Sequence, residues 1–215
     1  SLALNGTTIY TGGVFTMIGG ASRSRLAAMN TDGTLESWSP IANSNVYALL
    51  VNGTTIYAGG AFTTINGATR SYLAAIDANG TLQTWAPNAN TDVNALAISG
   101  TKIYVGGAFT TVYAQLRNRL AAIDTNGSLD TSWGPNANGV VRALAVSGSN
   151  IYAGGDFTTL TGGAATRNRL AAINTSGVLQ SWDPNANNVV RALMVSGSNI
   201  YAGGDFTMVA GLVTP

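Results

Sequence analysis

Residues 46–63 read Val-Tyr-Ala-Leu-Leu-Val-Asn-Gly-Thr-Thr-Ile-Tyr-Ala-Gly-Gly-Ala-Phe-Thr. Two apolar runs flank Asn52-Gly53, a pair that tolerates positive φ, and this predicts a tight hairpin between strands at Val46–Val51 and Thr55–Ala58. Gly59-Gly60 closes the second strand. The latter half of the stretch is a signature, Ile-Tyr-x-Gly-Gly-x-Phe-Thr, which begins at Ile9, Ile56, Ile103, Ile151 and Ile200, in steps of 47, 47, 48 and 49 residues. A step of this size marks a repeat architecture built from one supersecondary unit.

Other landmarks keep the same phase. The tryptophans Trp38, Trp85, Trp133 and Trp182 each stand two residues before a proline, at Pro40, Pro87, Pro135 and Pro184. Between signature and tryptophan, Arg-x-[Arg/Tyr]-Leu-Ala-Ala starts at Arg23, Arg70, Arg117 and Arg167. In residues 46–90 a polar loop, 63–69, therefore leads to a third strand near Tyr72–Ile76. Asn79-Gly80 turns the chain, and Thr81–Trp85 forms a fourth strand that Pro87 ends because proline donates no ladder hydrogen bond. Helical periodicity is absent.

Four antiparallel strands per unit predict an all-β chain, a β-propeller of four-stranded antiparallel blades with a 47–49 residue repeat. The blades fall at about 1–42, 46–90, 93–138 and 140–187, with half of a fifth at 189–215, in a single propeller that we expect to be a segment of a longer chain. A lone blade cannot bury both faces, so Trp and the Leu-Ala-Ala face are expected to pack on the next blade, where the Ala pairs permit close approach. Val140–Thr158 and Val189–Thr207 differ only at Ala145 against Met194, a sign of recent duplication.

The strand, Ile-Tyr-x-Gly-Gly, Leu-Ala-Ala-Ile-Asp and Trp order resembles the kelch blade, with Ile76, Ile123, Ile173 or Met29 where kelch carries a strand-three tyrosine. It is more similar to the Gly-Gly-Asp-Phe-Thr propeller repeats of large bacterial secreted and cell-surface proteins. That resemblance implies a propeller fold and an extracellular or cell-surface location, and it brings no catalytic motif with it.

Composition narrows the function. The chain has no His and no Cys, and 9% of its residues are charged. Ser-His-Asp and Cys-His nucleophile systems are thereby excluded, as are zinc sites on nitrogen and sulfur ligands and disulfides. One lysine, Lys102, nine scattered arginines and a net charge of +1 argue against nucleic-acid binding. No apolar run is long enough for a membrane helix, so no membrane insertion is expected. The first residues, Ser1–Asn5, lack an initiating Met and the pattern of a signal peptide. Asn-x-Ser/Thr sequons begin at Asn5, Asn52, Asn79, Asn126 and Asn174, four of them at Asn-Gly turns.

The candidate site lies where the repeat permits variation. In strand one, Val-x-Ala-Leu places Tyr47, Asn94, Arg142 and Arg191 at the variable position, expected to face a central channel or its rim. The loop after Phe-Thr also varies and supplies Tyr113 and Gln115. Asp156 and Asp205 follow the Gly pair where Val14, Ala61 and Ala108 stand in other blades, and are weak candidates for a cation; no metal site and no cofactor are otherwise expected. Asp77 and Asp124 share their position with Asn30 and Asn174, which points to turn capping. The repeated Arg23, Arg70, Arg117 and Arg167 are expected to tie their loops to carbonyls of the neighbouring blade. The expectation is a non-catalytic extracellular propeller, a spacer or a platform for a protein or glycan ligand at channel rim or loops. The rest of a longer parent chain, or a partner chain, would complete the ring. The alternatives are a lectin with one sugar site per blade and, with little support from Glu36 and scattered Asp residues, a propeller glycosidase or lyase.

Overall fold

A computed structural model of the protein describes residues 1–213, so the last two residues of the predicted half-blade lie outside it. By backbone contacts the chain forms two compact units, Ser1–Val93 and the part from Asn94 onward. Among the described residues, helix is confined to a single 3-10 turn at Thr161–Gly163, and every strand pairing is antiparallel.

Each full repeat is built alike. In the first unit the sheets are Leu2–Asn5, Thr8–Gly12, Leu26–Asn30 and Val46–Asn52, Thr55–Gly60, Leu73–Asp77, each with the middle strand at its centre. The second unit repeats the arrangement in Val93–Ser99, Lys102–Gly107, Leu120–Asp124 and in Val141–Ser147, Asn150–Gly155, Leu170–Asn174. The fifth repeat contributes the pair Val190–Ser196 and Asn199–Gly204.

The fourth segment is shorter than its sequence suggests. Thr81–Trp85 is held to the third strand by one bridge, Ile76 to Leu82, and by hydrogen bonds from Gln83 N to Ala75 O (2.8 Å) and from Asp77 N to Thr81 O (2.9 Å). The turn before it accounts for this. Asp77 Oδ1 accepts from the amides of Asn79 (2.9 Å) and Thr81 (2.8 Å), which tightens the chain into an Asx turn and leaves little length to pair. Asn174 does the same for Ser176 and Val178, so amide and carboxylate are interchangeable at this position.

Two further details depart from expectation. Asn52 is itself paired, with Thr55, and only Gly53 of the predicted turn pair has positive φ (60°), the pattern of a turn with glycine at its first central position. The polar loop 63–69 contains a small ladder of its own, Thr64–Ile65 against Ala68–Thr69, whose Ile65 is fully buried.

Burial follows the repeat. In the first unit, Tyr10, Leu26, Ala28 and Trp38 of one repeat pack with Val46, Leu49, Ile56, Phe62 and Ile76 of the next. In the second unit Tyr104, Leu120, Ala122 and Trp133 meet Val141, Ile151, Phe157 and Ile173 in the same way. Each tryptophan stands edge-on to the tyrosine of its own signature, the Tyr10–Trp38 and Tyr104–Trp133 centroids lying 5.0 and 4.9 Å apart. The indole N–H then reaches the following repeat, from Trp38 to Asp77 O (2.9 Å) and from Trp133 to Asn174 O (3.1 Å). The aromatic ladder is therefore interblade core, as expected.

The Gly pair sets the spacing between sheets. A Cβ added to Gly12, Gly106 or Gly154 would lie 2.6 Å from Cγ1 of Val46, Val141 or Val190, the valine that opens the next repeat. A Cβ on Gly60 or Gly155 would lie 2.1 Å from a backbone carbonyl oxygen. Only glycine fits such an approach.

Candidate functional site

Two of the four strand-one candidates, Arg142 and Arg191, are partners of the two acidic candidates. Arg142 and Asp156 form a two-pronged pair, Nε to Oδ1 at 2.6 Å and Nη2 to Oδ2 at 2.7 Å. Arg191 and Asp205 repeat it at 2.7 and 2.5 Å. The hairpin explains the match: Val141 pairs with Gly155 and Ala143 with Gly154, as Val190 pairs with Gly204 and Ala192 with Gly203, so Arg142 and Arg191 are the extra residues of a bulge beside the end of the middle strand from which Asp156 and Asp205 follow. A planar guanidinium suits a carboxylate at this separation.

The pairing bears on the cation reading of Asp156 and Asp205. Their oxygens are engaged by guanidinium groups, and the described residues hold no cluster of three or more metal-ligating side chains. Hydrogen bonding to Asp205 raises the affinity of Arg191 for its proton, and Arg191 in turn holds the Asp205 carboxyl below the usual range. Arg142 is raised by Asp156 in the same manner, with smaller opposing effects from its burial and from Arg191. Electrostatically the two pairs sense one another, so consecutive inner strands carry a short row of alternating charge.

The other candidates are not drawn into one site. Tyr47, in the first unit, is 37% exposed and its hydroxyl receives a 3.4 Å contact from Asn45 Nδ2. Asn94 donates from Nδ2 to Val141 O (3.4 Å), bridging adjacent inner strands of the second unit. Tyr113, 38% exposed, sits at positive φ (49°) in the loop ladder Thr111–Val112 with Gln115–Leu116, and donates to Gly127 O at 2.8 Å. Gln115 is exposed in that ladder.

The repeated arginines act within their own repeat, not on the neighbouring blade as expected. Each Nη1 reaches the carbonyl of the preceding residue. Each Nη2 reaches the outer segment thirteen residues on: Arg23 to Glu36 O (2.9 Å), Arg70 to Gln83 O (2.6 Å), Arg117 to Asp130 O (3.2 Å) and Arg167 to Gln180 O (2.9 Å). The guanidinium thus clamps the loop ladder to the short fourth segment, which few ladder bonds hold.

Two recurrent positions escaped the sequence reading. Arg25, Tyr72, Arg119 and Arg169 all adopt left-handed backbone, φ 63–67°, and Arg119 Nη1 reaches Ala137 O at 3.1 Å. Asn43, Asn138 and Asn187 accept from two successive amides of the next repeat's Phe-Thr loop, as Asn138 does from Thr158 (2.8 Å) and Thr159 (2.9 Å). The signal for the second was present, since Pro-x-Ala-Asn ends at Asn43, Asn90, Asn138 and Asn187. A cavity of about 300 Å³ opens beside the third of these, lined by Asn118, Arg119, Asn136, Asn138, Thr159 and Gly162.

These are the blades of a β-propeller. Residues 8–37, 55–84 and 102–132 match the family model described as a domain of unknown function (DUF5122) beta-propeller, and each match spans a middle strand, a third strand and an outer segment. The solved structures similar to the chain include the computationally designed Ika8 protein, at 16% identity and TM-score 0.58, over 97% of this chain and 68% of that one. A component of the Mitotic Checkpoint Complex matches at 16% identity and TM-score 0.66, over 94% of this chain and 57% of that one. The extracellular domain of the putative one component system BT4673 from B. thetaiotaomicron matches at 18% identity and TM-score 0.61, over 97% of this chain and 26% of that domain. Identities this low speak to fold alone. No curated protein matches the sequence. Among the described residues no helix is long and apolar enough to cross a membrane.

Proposed function

We propose that this propeller segment is a non-catalytic module of a secreted or cell-surface protein, a rigid spacer whose variable inner-strand and loop positions offer a platform to a protein or glycan ligand. The observation that carries the reading is the engagement of five of its nine carboxylates. Asp156 and Asp205 face guanidinium groups, Asp130 faces Lys102, Asp183 lies 3.5 Å from Arg167, and Asp77 caps a turn. Glycoside hydrolysis needs two carboxyl groups about 5–10 Å apart across a substrate cleft, one of them free to exchange protons. Strong cationic partners oppose that use.

Location rests on a fold neighbour that is an extracellular domain and on the likeness to kelch-type and Gly-Gly-Asp-Phe-Thr repeats of surface proteins. Among ligand classes, the partly exposed Tyr47 and Tyr113 favour a glycan, because a sugar ring stacks on an aromatic face while its hydroxyls find the nearby amides. Titration of the protein with a panel of neutral and acidic oligosaccharides, followed by tyrosine ring resonances, tests the platform. Saturable shifts of the Tyr47 or Tyr113 signals are expected, and a flat response at millimolar sugar together with hydrolysis of any glycoside in the panel would replace it with an enzyme.

A further inference from the structure

The small ladder after Phe-Thr recurs in every repeat, but its turn does not. Gly19-Gly20, Asn66-Gly67, Tyr113-Ala114 and Ala210-Gly211 each join the two short strands with two residues. In the fourth repeat Thr159–Leu160 and Ala165–Thr166 are joined by four residues, 161–164. Gly162 N anchors this longer loop by donating to Asn136 O (3.3 Å). Gly162 and Gly163 then form one wall of the cavity of about 300 Å³ beside Asn138, with Asn118, Arg119 and Thr159 among the residues that complete it.

The polar groups lining this cavity are unevenly engaged. Asn138 Oδ1 accepts from Thr158 N and Thr159 N, and its Nδ2 donates to Thr158 Oγ1 (2.9 Å). Asn136 Oδ1 accepts from Asn118 N (3.0 Å), and its Nδ2 donates to Gly134 O (3.0 Å). These two amides fix the shape of the site. Arg119 uses one guanidinium nitrogen, Nη1, on Ala137 O (3.1 Å), and among the described residues it forms no ion pair. Asn118 reaches Asn136 through its backbone alone, whereas its counterpart one repeat on, Asn168, donates its side-chain amide to Asn185 Oδ1 (2.7 Å). A guanidinium without a counter-ion and a side-chain amide without a partner thus stand together on a preformed frame.

The lining also defines what would fill it. It holds one cation and no carboxylate, so a monoanion balances it. A planar carboxylate suits the Nε–Nη2 edge that the Ala137 contact leaves to Arg119, the same edge that Arg142 and Arg191 present to Asp156 and Asp205. No aromatic or large aliphatic side chain lines the cavity, so the remainder of the ligand must bring hydroxyls to meet amides, a threonine and glycine backbone. A volume at the small end of the usual range for ligand cavities, about 300–1,000 Å³, takes a group of roughly one sugar ring. We infer that this cavity binds a uronate, a sugar ring with one carboxylate, Arg119 holding the carboxylate while Asn118 and the Gly162-Gly163 loop meet the ring hydroxyls. The inference rests on the platform reading for its glycan class and adds to it a site that neither Tyr47 nor Tyr113 lines.

Methyl glucuronide and methyl glucoside differ only by a carboxylate in place of a hydroxymethyl group, and titrating each into the whole protein while following the side-chain amide resonances of Asn118 and Asn138 tests this. Saturable shifts with the glucuronide are expected, and the glucoside should bind at least about tenfold more weakly. Arg119→Ala should weaken glucuronide binding by a similar factor. Asn118→Ala should weaken it as well, and it keeps the test open if loss of the Arg119 contact to Ala137 O disturbs the fold. Deletion of Gly162 and Gly163, which restores a two-residue turn, should abolish binding. The inference is overturned by the absence of shifts at millimolar glucuronide, by equal binding of the glucoside, by acetate or inorganic phosphate binding as tightly as the glucuronide, or by unchanged binding in the folded Arg119→Ala and Asn118→Ala variants. A response of Tyr47 or Tyr113 to the glucoside while Asn118 stays silent to both sugars would remove this site and uphold the platform, so the two readings fail separately.

Discussion

At the scale of single residues, four of the chain's ten cations stand beside carboxylates among the described residues. Its only lysine, Lys102, meets Asp130, whose Oδ1 also accepts from Ser132 Oγ (2.6 Å) and Ser132 N (3.0 Å). Burial alone would raise the Asp130 carboxyl, but the ammonium and the serine outweigh it and hold the group at about 2, against an ordinary 3.8. The folded state therefore gives up this proton more readily than the unfolded one. The stabilisation is complete above roughly pH 5 and is lost as pH falls from about 4 toward 2. Its size is at most about 2 kcal/mol. Thermal melts of the protein and of Asp130→Asn should differ by several degrees at pH 7, and the gap should narrow by pH 3; a gap independent of pH would assign the effect to packing instead. The Arg142–Asp156 pair is more open, its side chains 36% and 30% exposed, and a coupling of only about 0.5–1 kcal/mol is expected. Urea unfolding of Arg142→Ala, Asp156→Ala and the double variant measures it. The double variant should be nearly as stable as the parent, since Ala61 and Ala108 already occupy the acidic position in other repeats; a loss above about 2 kcal/mol would mean that the row of alternating charge holds neighbouring blades together.

Among elements, the Gly pair makes the sharpest comparison available. Gly106 and Gly203 occupy the same place in their repeats, yet only Gly106 faces a valine, Val141, that leaves no room for a methyl group. Because Val is stiff about χ1, Gly106→Ala should cost about 1–3 kcal/mol, within the range for an overpacked core. Gly203→Ala should be close to neutral, and equal losses in the two melting curves would deny that the glycine sets blade spacing. Most of this architecture was legible beforehand: signature, tryptophan phase and turn residues gave the repeat, the inner three strands and the interblade core, because period, apolar alternation and turn chemistry are local. What was not legible is non-local. Arg142 with Asp156 could have been found by noting that Arg and Asp enter together in the last two repeats. By contrast, Arg23 clamping Glu36 O, and Arg119 held at positive φ, depend on where the chain brings a carbonyl. The fourth strand was over-read for a related reason, since Asp77 tightens its turn through side-chain bonds that a propensity pattern does not carry.

For the whole molecule, the governing fact is that within each unit one repeat packs its core against the next. Repeat assemblies of this kind divide their free energy between the units and the interfaces joining them, so identical elements need not be equally stable. The twin hairpins isolate that effect. Their sequences give nearly the same intrinsic exchange chemistry at Asn150–Gly155 and Asn199–Gly204, and the former strand lies between two strands and beneath Trp182 while the latter has one neighbour among the described residues. Local opening of the fifth repeat breaks fewer contacts, which places it at the low end of the range of opening free energies. Amide exchange at neutral pH should therefore be at least about tenfold faster for Ile200–Ala202 than for Ile151–Ala153, a difference of about 1.4 kcal/mol or more. Equal protection at the two strands would show that the hairpin is stable by itself, and blade stacking would then be an arrangement of self-sufficient units. Faster exchange would instead make stacking the source of order, with every interface a place where a neighbour's strand and tryptophan complete the sheet before it.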